Sequence, residues 1–217
     1  MKDWEIDSGV YGKRLTLHVD WSDSLIRVFE REQIQEIVLF KPNNSGFSSL
    51  DFLGKVSWLK SFTLLDLLTE NISGIHFLSD LRSIYMGDYS KKAIDFASFP
   101  ELKECRMEFS HNRLSVVSCP KLELLSMLHF SLSDLSKLVP LRHLTTLDIS
   151  QGKLADIRAI TEFRHLEHLN LVLLKSLQDI APLGRAGELQ TLSLEGTRGF
   201  RTLDALSGLG KLRRLNI

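Results

Sequence analysis

Between residues 144 and 171 the chain carries one apolar phrase twice. Leu144, Leu147 and Ile149 are answered by Leu166, Leu169 and Leu171, each 22 positions later. The same Leu-x-x-Leu-x-Leu spacing occurs at Ile34-Ile37-Leu39, Leu59-Phe62-Leu64, Leu81-Ile84-Met86, Leu102-Cys105-Met107 and Leu122-Leu125-Met127. It continues at Leu189-Leu192-Leu194 and Leu212-Leu215-Ile217, and a weaker copy, Gly12-Leu15-Leu17, stands ahead of them all. From Ile34 onward, successive starts lie 25, 22, 21, 20, 22, 22, 23 and 23 residues apart. A period of this length marks stacked supersecondary units.

Two apolar residues two apart lie on one face of a short strand, and their neighbours point the other way. One such strand cannot bury its face alone, so each unit must stack on the next. Equivalent strands then form one parallel sheet; ten of them at about 4.8 Å spacing span roughly 45 Å. The return segments need apolar residues of their own. Leu154, Ile157, Ile160 and Phe163 recur at intervals of three, matched one repeat earlier by Leu132, Leu135, Leu138 and Leu141. Three-residue spacing predicts 3-10 turns or short helices. Ser24, Asn71, Asp134 and Asp156 each fall twelve residues after a repeat start, and Asp179 holds the same place in a longer repeat. They read as helix N-caps rather than as catalytic carboxylates.

The chain thus resembles the leucine-rich repeat family, in particular its 22-residue, internalin-like class. The resemblance implies an α/β solenoid, a right-handed horseshoe with a parallel concave sheet and short helical, 3-10 or extended convex segments. It also implies a protein-interaction scaffold rather than an enzyme, in a bacterial style. One departure stands out. The family places Asn three residues after the last strand leucine, where this chain has Asp20, Pro42, Leu67, Tyr89, Ser110, Phe130, Gly152, Leu174 and Thr197.

Residues 1–33 are expected to form an N-terminal cap continuous with the repeats of 34–217. A hairpin around Asp7-Ser8-Gly9 would lay Trp4, Ile6 and Tyr11 over the first edge, followed by a strand and an amphipathic helix in "WSDSLIRVFEREQ". The repeats of 21 and 20 residues leave little room for helix, so their returns are expected to be extended. "LRRLNI" reads as a strand whose edge is either polar enough alone or covered by a further segment or a second copy, as in a homodimer.

Lys plus Arg and Asp plus Glu both number 27. The balance removes the usual electrostatic motive for binding nucleic acid or an anionic membrane. There is no signal-peptide-like run near the start and no long apolar span. Two cysteines, Cys105 and Cys119, are too few for a disulfide scaffold; Cys105 replaces a repeat leucine, which predicts a reduced core thiol and a cytoplasmic setting. Of the seven histidines, His143 and His165 precede matching repeat starts, but no metal-ligand or nucleophile constellation follows. "GLGK" at 208–211 lacks the rest of a phosphate loop. No cofactor is expected.

Function should lie where folding makes no demand. With the leucines turned inward, Tyr85, Arg106, Glu108, Phe109 and His129 converge on the opposite face over three central repeats. Phe40 and Leu65 extend the patch toward the N-terminus; Asp148 and His168 extend it toward the C-terminus. Asp66 and Asp88 belong to the same row as Phe109. Exposed aromatic and Arg side chains favour a protein interface; the alternative is a solvated face with charge pairs such as Glu104 with Arg106. The class stays open among a general interaction module, an inhibitor or immunity-type partner of an enzyme or toxin, and the substrate-recognition part of a larger enzyme.

Overall fold

The computed structural model describes residues 2–42, 45–65, 68–87, 92–197 and 199–217. Apolar residues at the repeat positions have only one way to leave water together, and the chain takes it. Strands β1 (Trp4–Ser8), β2 (Lys13–Leu17), β3 (Ile34–Leu39), β4 (Ser61–Leu64), β5 (Ser83–Met86), β6 (Glu104–Glu108), β7 (Leu124–Leu128), β8 (Thr146–Ser150), β9 (His168–Val172), β10 (Thr191–Ser193) and β11 (Arg214–Asn216) form a single sheet in sequential order. β1 is antiparallel to β2, and the later pairings are parallel.

The register stacks one core row across the sheet. Leu15, Ile37, Phe62, Ile84, Cys105, Leu125, Leu147, Leu169, Leu192 and Leu215 are lateral neighbours in turn. All are buried except the last, Leu215, which is 40 % exposed on the outer strand. Burying each such side chain contributes roughly 1.5–3 kcal/mol. The residues spaced by three in the returns close the core from outside: Leu154, Ile157, Ile160 and Phe163 are buried around a 3-10 turn at Arg158–Glu162.

Helix α1 (Leu25–Glu32) buries Leu25 and Phe29 and ends on Gln33 in the left-handed conformation. The hairpin of β1 and β2 covers the first edge, with Trp4 and Ile6 packed on the core. Tyr11 donates its backbone N–H to Glu36 Oε1.

The residues expected as N-caps instead close the turn just ahead of each return, and the N-caps themselves are Ile72, Leu135, Ile157 and Ile180. Asn71, Asp134, Asp156 and Asp179 accept through Oδ1 from the backbone N–H of Ser73, Ser136, Arg158 and Ala181, each two residues on, at 2.8–3.0 Å. Ser24 differs: its side chain makes no cap bond to the helix.

The return of the 20-residue repeat is not extended. Residues His111–Ser118 form the longest 3-10 segment among the described residues. The shortening falls in the loop before it: two residues, 109 and 110, link β6 to that helix, whereas seven, 151–157, link β8 to its own. The 21-residue repeat keeps a three-residue 3-10 turn, Phe96–Ser98.

The missing Asn row is satisfied piecemeal. Thr197 Oγ1 donates to Leu171 O at 2.9 Å and accepts from Leu174 N at 3.1 Å, while Phe130 and Leu174 fill their places as buried apolar groups. The buried Lys41 donates to Gly46 O at 2.5 Å and pairs with Asp20 at 3.0 Å. Leu67 and Tyr89 lie outside the described residues.

Candidate functional site

Because alternate strand residues must point away from the core, the sheet lines them up in rows. Tyr85, Arg106, Ser126, Asp148 and Asn170 are successive lateral neighbours, as are Glu104, Leu124, Thr146, His168 and Thr191. A third row runs through Glu108, Leu128, Ser150 and Val172. Neighbouring strands lie about 4.8 Å apart, so side chains distant in sequence meet directly.

Much of this face is internally paired. Arg106 Nη1 donates to Glu104 Oε2 at 2.9 Å. Asn170 Nδ2 donates to Asp148 Oδ1, and His168 Nδ1 lies 2.7 Å from Thr191 Oγ1. Burial pushes the carboxyl of Asp148 above the usual range, against the opposing pull of the Asn170 hydrogen bond and of the Arg106 and His168 charges. Such pairs order the surface but contribute little binding free energy by themselves.

Other groups remain uncommitted. Tyr85 is 42 % exposed, and Phe40, Leu65 and Leu173 are also exposed. At the lip of the sheet, His129 Nδ1 meets Glu108 Oε1 at 2.7 Å. Glu108 is only 6 % exposed, and its second oxygen, Oε2, is buried without a hydrogen-bond partner among the described residues. Leaving a buried acceptor unsatisfied costs roughly 1–3 kcal/mol.

This residue lines a hollow of about 180 Å³ on the concave face, together with Tyr85, Gly87, Arg106, Ser126 and Leu128. Gly87, the residue after β5, brings no side chain to its rim, and Ser126 contributes only a hydroxyl. Sequence reading picked out the large residues here and passed over Gly87. The signal was its position between Leu65 and Glu108 in a row otherwise bulky on either side.

Phe109 does not join this surface. It is 3 % exposed and packs edge-on against Phe130 at 4.9 Å between ring centroids. His129, Gln151 and Leu173, at the corresponding place in later repeats, adopt φ of 54–56° and turn their side chains outward. Phe109 lies in the short link into 3-10 helix, without that left-handed turn, so its ring swings into the core. Phe40 sits two strands from Tyr85, with the His18 ring 6.0 Å away, while Asp148 and His168 extend the paired rows toward the C-terminus. Asp66 and Asp88 lie outside the described residues.

His143 and His165 line one shallow cleft beside the strand starts, with Glu123 and Glu167. Among the described residues, no three His, Cys, Asp or Glu side chains are grouped to hold a metal ion. None of the described helices is long and apolar enough to cross a membrane.

No family model matches the sequence, and no curated protein matches it. Solved structures do. Internalin C2 of Listeria monocytogenes is similar with a TM-score of 0.61 at 16% identity, over 80% of this chain and 77% of that one. The internalin InlF of the same organism gives a TM-score of 0.58 at 19% identity, over 89% and 69%. The functional domain of its InlJ, which includes a cysteine ladder, gives 0.59 at 15% identity, over 84% and 41%. The two cysteines of the present chain, Cys105 and Cys119, are free and buried.

Proposed function

We propose that this internalin-type leucine-rich repeat solenoid is a non-catalytic scaffold that binds another protein through the concave face of its sheet. The supporting observation is the exposed Tyr85 beside a hollow whose wall holds a buried carboxylate with one unpaired oxygen. Tyr and Arg are the residue types that dominate interface energetics when packed into pockets. A rigid parallel sheet presents them without an ordering cost on binding, and the paired Glu104–Arg106 and Asp148–Asn170 contacts hold the rim in shape. The thiols of Cys105 and Cys119 are free and buried, which accords with a reducing, cytoplasmic setting.

The test is capture from the native host with wild type, with a Tyr85→Ala/Arg106→Ala double variant, and with Arg158→Ala on the convex side as control. A specific partner retained by wild type and by Arg158→Ala, and lost from the double variant at unchanged melting temperature, supports the reading. Retention by the double variant overturns it.

A further inference from the structure

We infer that the hollow around Glu108 is a socket for one basic side chain, lysine or arginine, of a protein partner. This rests on the concave-face reading and names the chemistry of its anchor.

Size comes first. Pockets for cofactors and drug-sized ligands run from roughly 300 to 1,000 Å³, and this one holds about 180 Å³. A single side chain fits; a cofactor does not. Shape and polarity then narrow the choice. Leu128 and Met86 offer apolar wall for a methylene stem, and Tyr85 offers an aromatic face. Long basic side chains bury their stems against such walls, and their charged heads favour aromatic faces.

Charge decides the head group. Arg106 is already bonded to Glu104, so its charge is locally matched. Among the described residues, Glu108 has a hydrogen-bond partner on one oxygen only, His129, and the other oxygen is buried and unbonded. A buried unsatisfied acceptor calls for a donor, and an ammonium or guanidinium brings both the donor and the opposite charge. The terminal torsion of a glutamate is soft, so a small rotation can bring Oε2 toward an incoming donor while the exposed His129 ring follows Oε1. The remaining Arg106 N–H groups and the Ser126 hydroxyl then face the backbone of the incoming chain. An acidic side chain would instead meet the carboxylate of Glu108 and be repelled.

The test uses a defined probe on the whole chain. Nα-acetyl-lysine methylamide and its norleucine counterpart, which lacks the ammonium, are titrated separately while backbone amide resonances are followed by NMR. The expected result is saturable shifts at residues 85–87, 106–108 and 126–128 with the lysine probe and none with norleucine. Glu108→Gln should weaken the lysine probe by about tenfold or more, the scale of a lost charge-assisted bond. Tyr85→Ala, at an exposed position that leaves folding intact, should weaken it as well. Equal shifts from both probes, no shifts from either, or undiminished binding by Tyr85→Ala and Glu108→Gln would overturn the socket; an oxygen satisfied by buried water alone gives that result. Should Glu108→Gln unfold, the lysine-against-norleucine comparison and Tyr85→Ala still decide. A silent probe, with partner capture still lost in the Tyr85→Ala/Arg106→Ala variant, removes the socket and leaves the concave-face reading standing. A bound probe with undisturbed capture does the reverse.

Discussion

Glu108 and His129, 21 residues apart in the chain, meet at 2.7 Å where β6 and β7 end. The contact joins a buried carboxylate to a side chain 46 % exposed, and so ties the core to the outer face of the sheet. His129 stands in a left-handed turn, φ 55°, a conformation that only Gly, and at times Asn or Asp, visits routinely. The neighbouring strand fixes that turn: His129 N–H donates to Ser150 O at 2.9 Å.

Removing the imidazole should therefore expose the burial cost of Glu108. His129→Ala leaves both carboxylate oxygens short of a side-chain partner and should destabilise by about 1–3 kcal/mol in urea denaturation. His129→Asn, which tolerates the left-handed turn and supplies an amide donor, should recover part of the loss. Two variants as stable as wild type would show that the pair contributes nothing.

Depth in the stack should govern the cost of losing a leucine. Leu147 is fully buried and Leu215 lies on the outer strand. Leu147→Ala is expected to cost about 2–5 kcal/mol and Leu215→Ala less than about 1, measured as shifts in urea midpoint at constant slope. Equal costs would contradict a cost set by the burial of each side chain.

Asp148 provides a pH test with a definite sign. Burial raises its folded pKa above the ordinary aspartate range, so the folded state holds this proton more tightly than the unfolded state does. The associated stability is fully present below the unfolded value and is lost as pH rises through the folded one. Asp148→Asn, which keeps an acceptor for Asn170, should therefore gain stability relative to wild type between acid and neutral pH. A stability difference between the two proteins that is flat across that range would refute the assignment.

The thiols should be inert while the chain is folded. Burial pushes Cys119 up to about 12 and Cys105 higher still, and only the thiolate attacks disulfide reagents. Labelling by an aromatic disulfide should proceed at the unfolding rate, independent of reagent concentration at high reagent. Fast labelling of one thiol in native buffer would show that it is reachable.

The periodic leucines by themselves determined the sheet, its order and the inward rows, because a strand of alternating residues has one face to bury and only its own neighbours to bury it against. Ile157 and Ile160 likewise announced a 3-10 or short helical return through their spacing of three, while Asp134 and Asp156, read as its N-caps, stand one residue ahead of the cap and close the turn before it. Tertiary structure alone decided which of the remaining residues face water. Phe109 and His129 occupy equivalent places in the pattern, yet one lies in a shortened link into helix and the other in a left-handed turn, so one ring is buried and the other exposed. The buried state of Glu108 was equally illegible, since it depends on Gly87, Leu128 and His129, brought beside it from neighbouring repeats. Burial is a property of what packs around a residue, and a residue's own letter does not carry it.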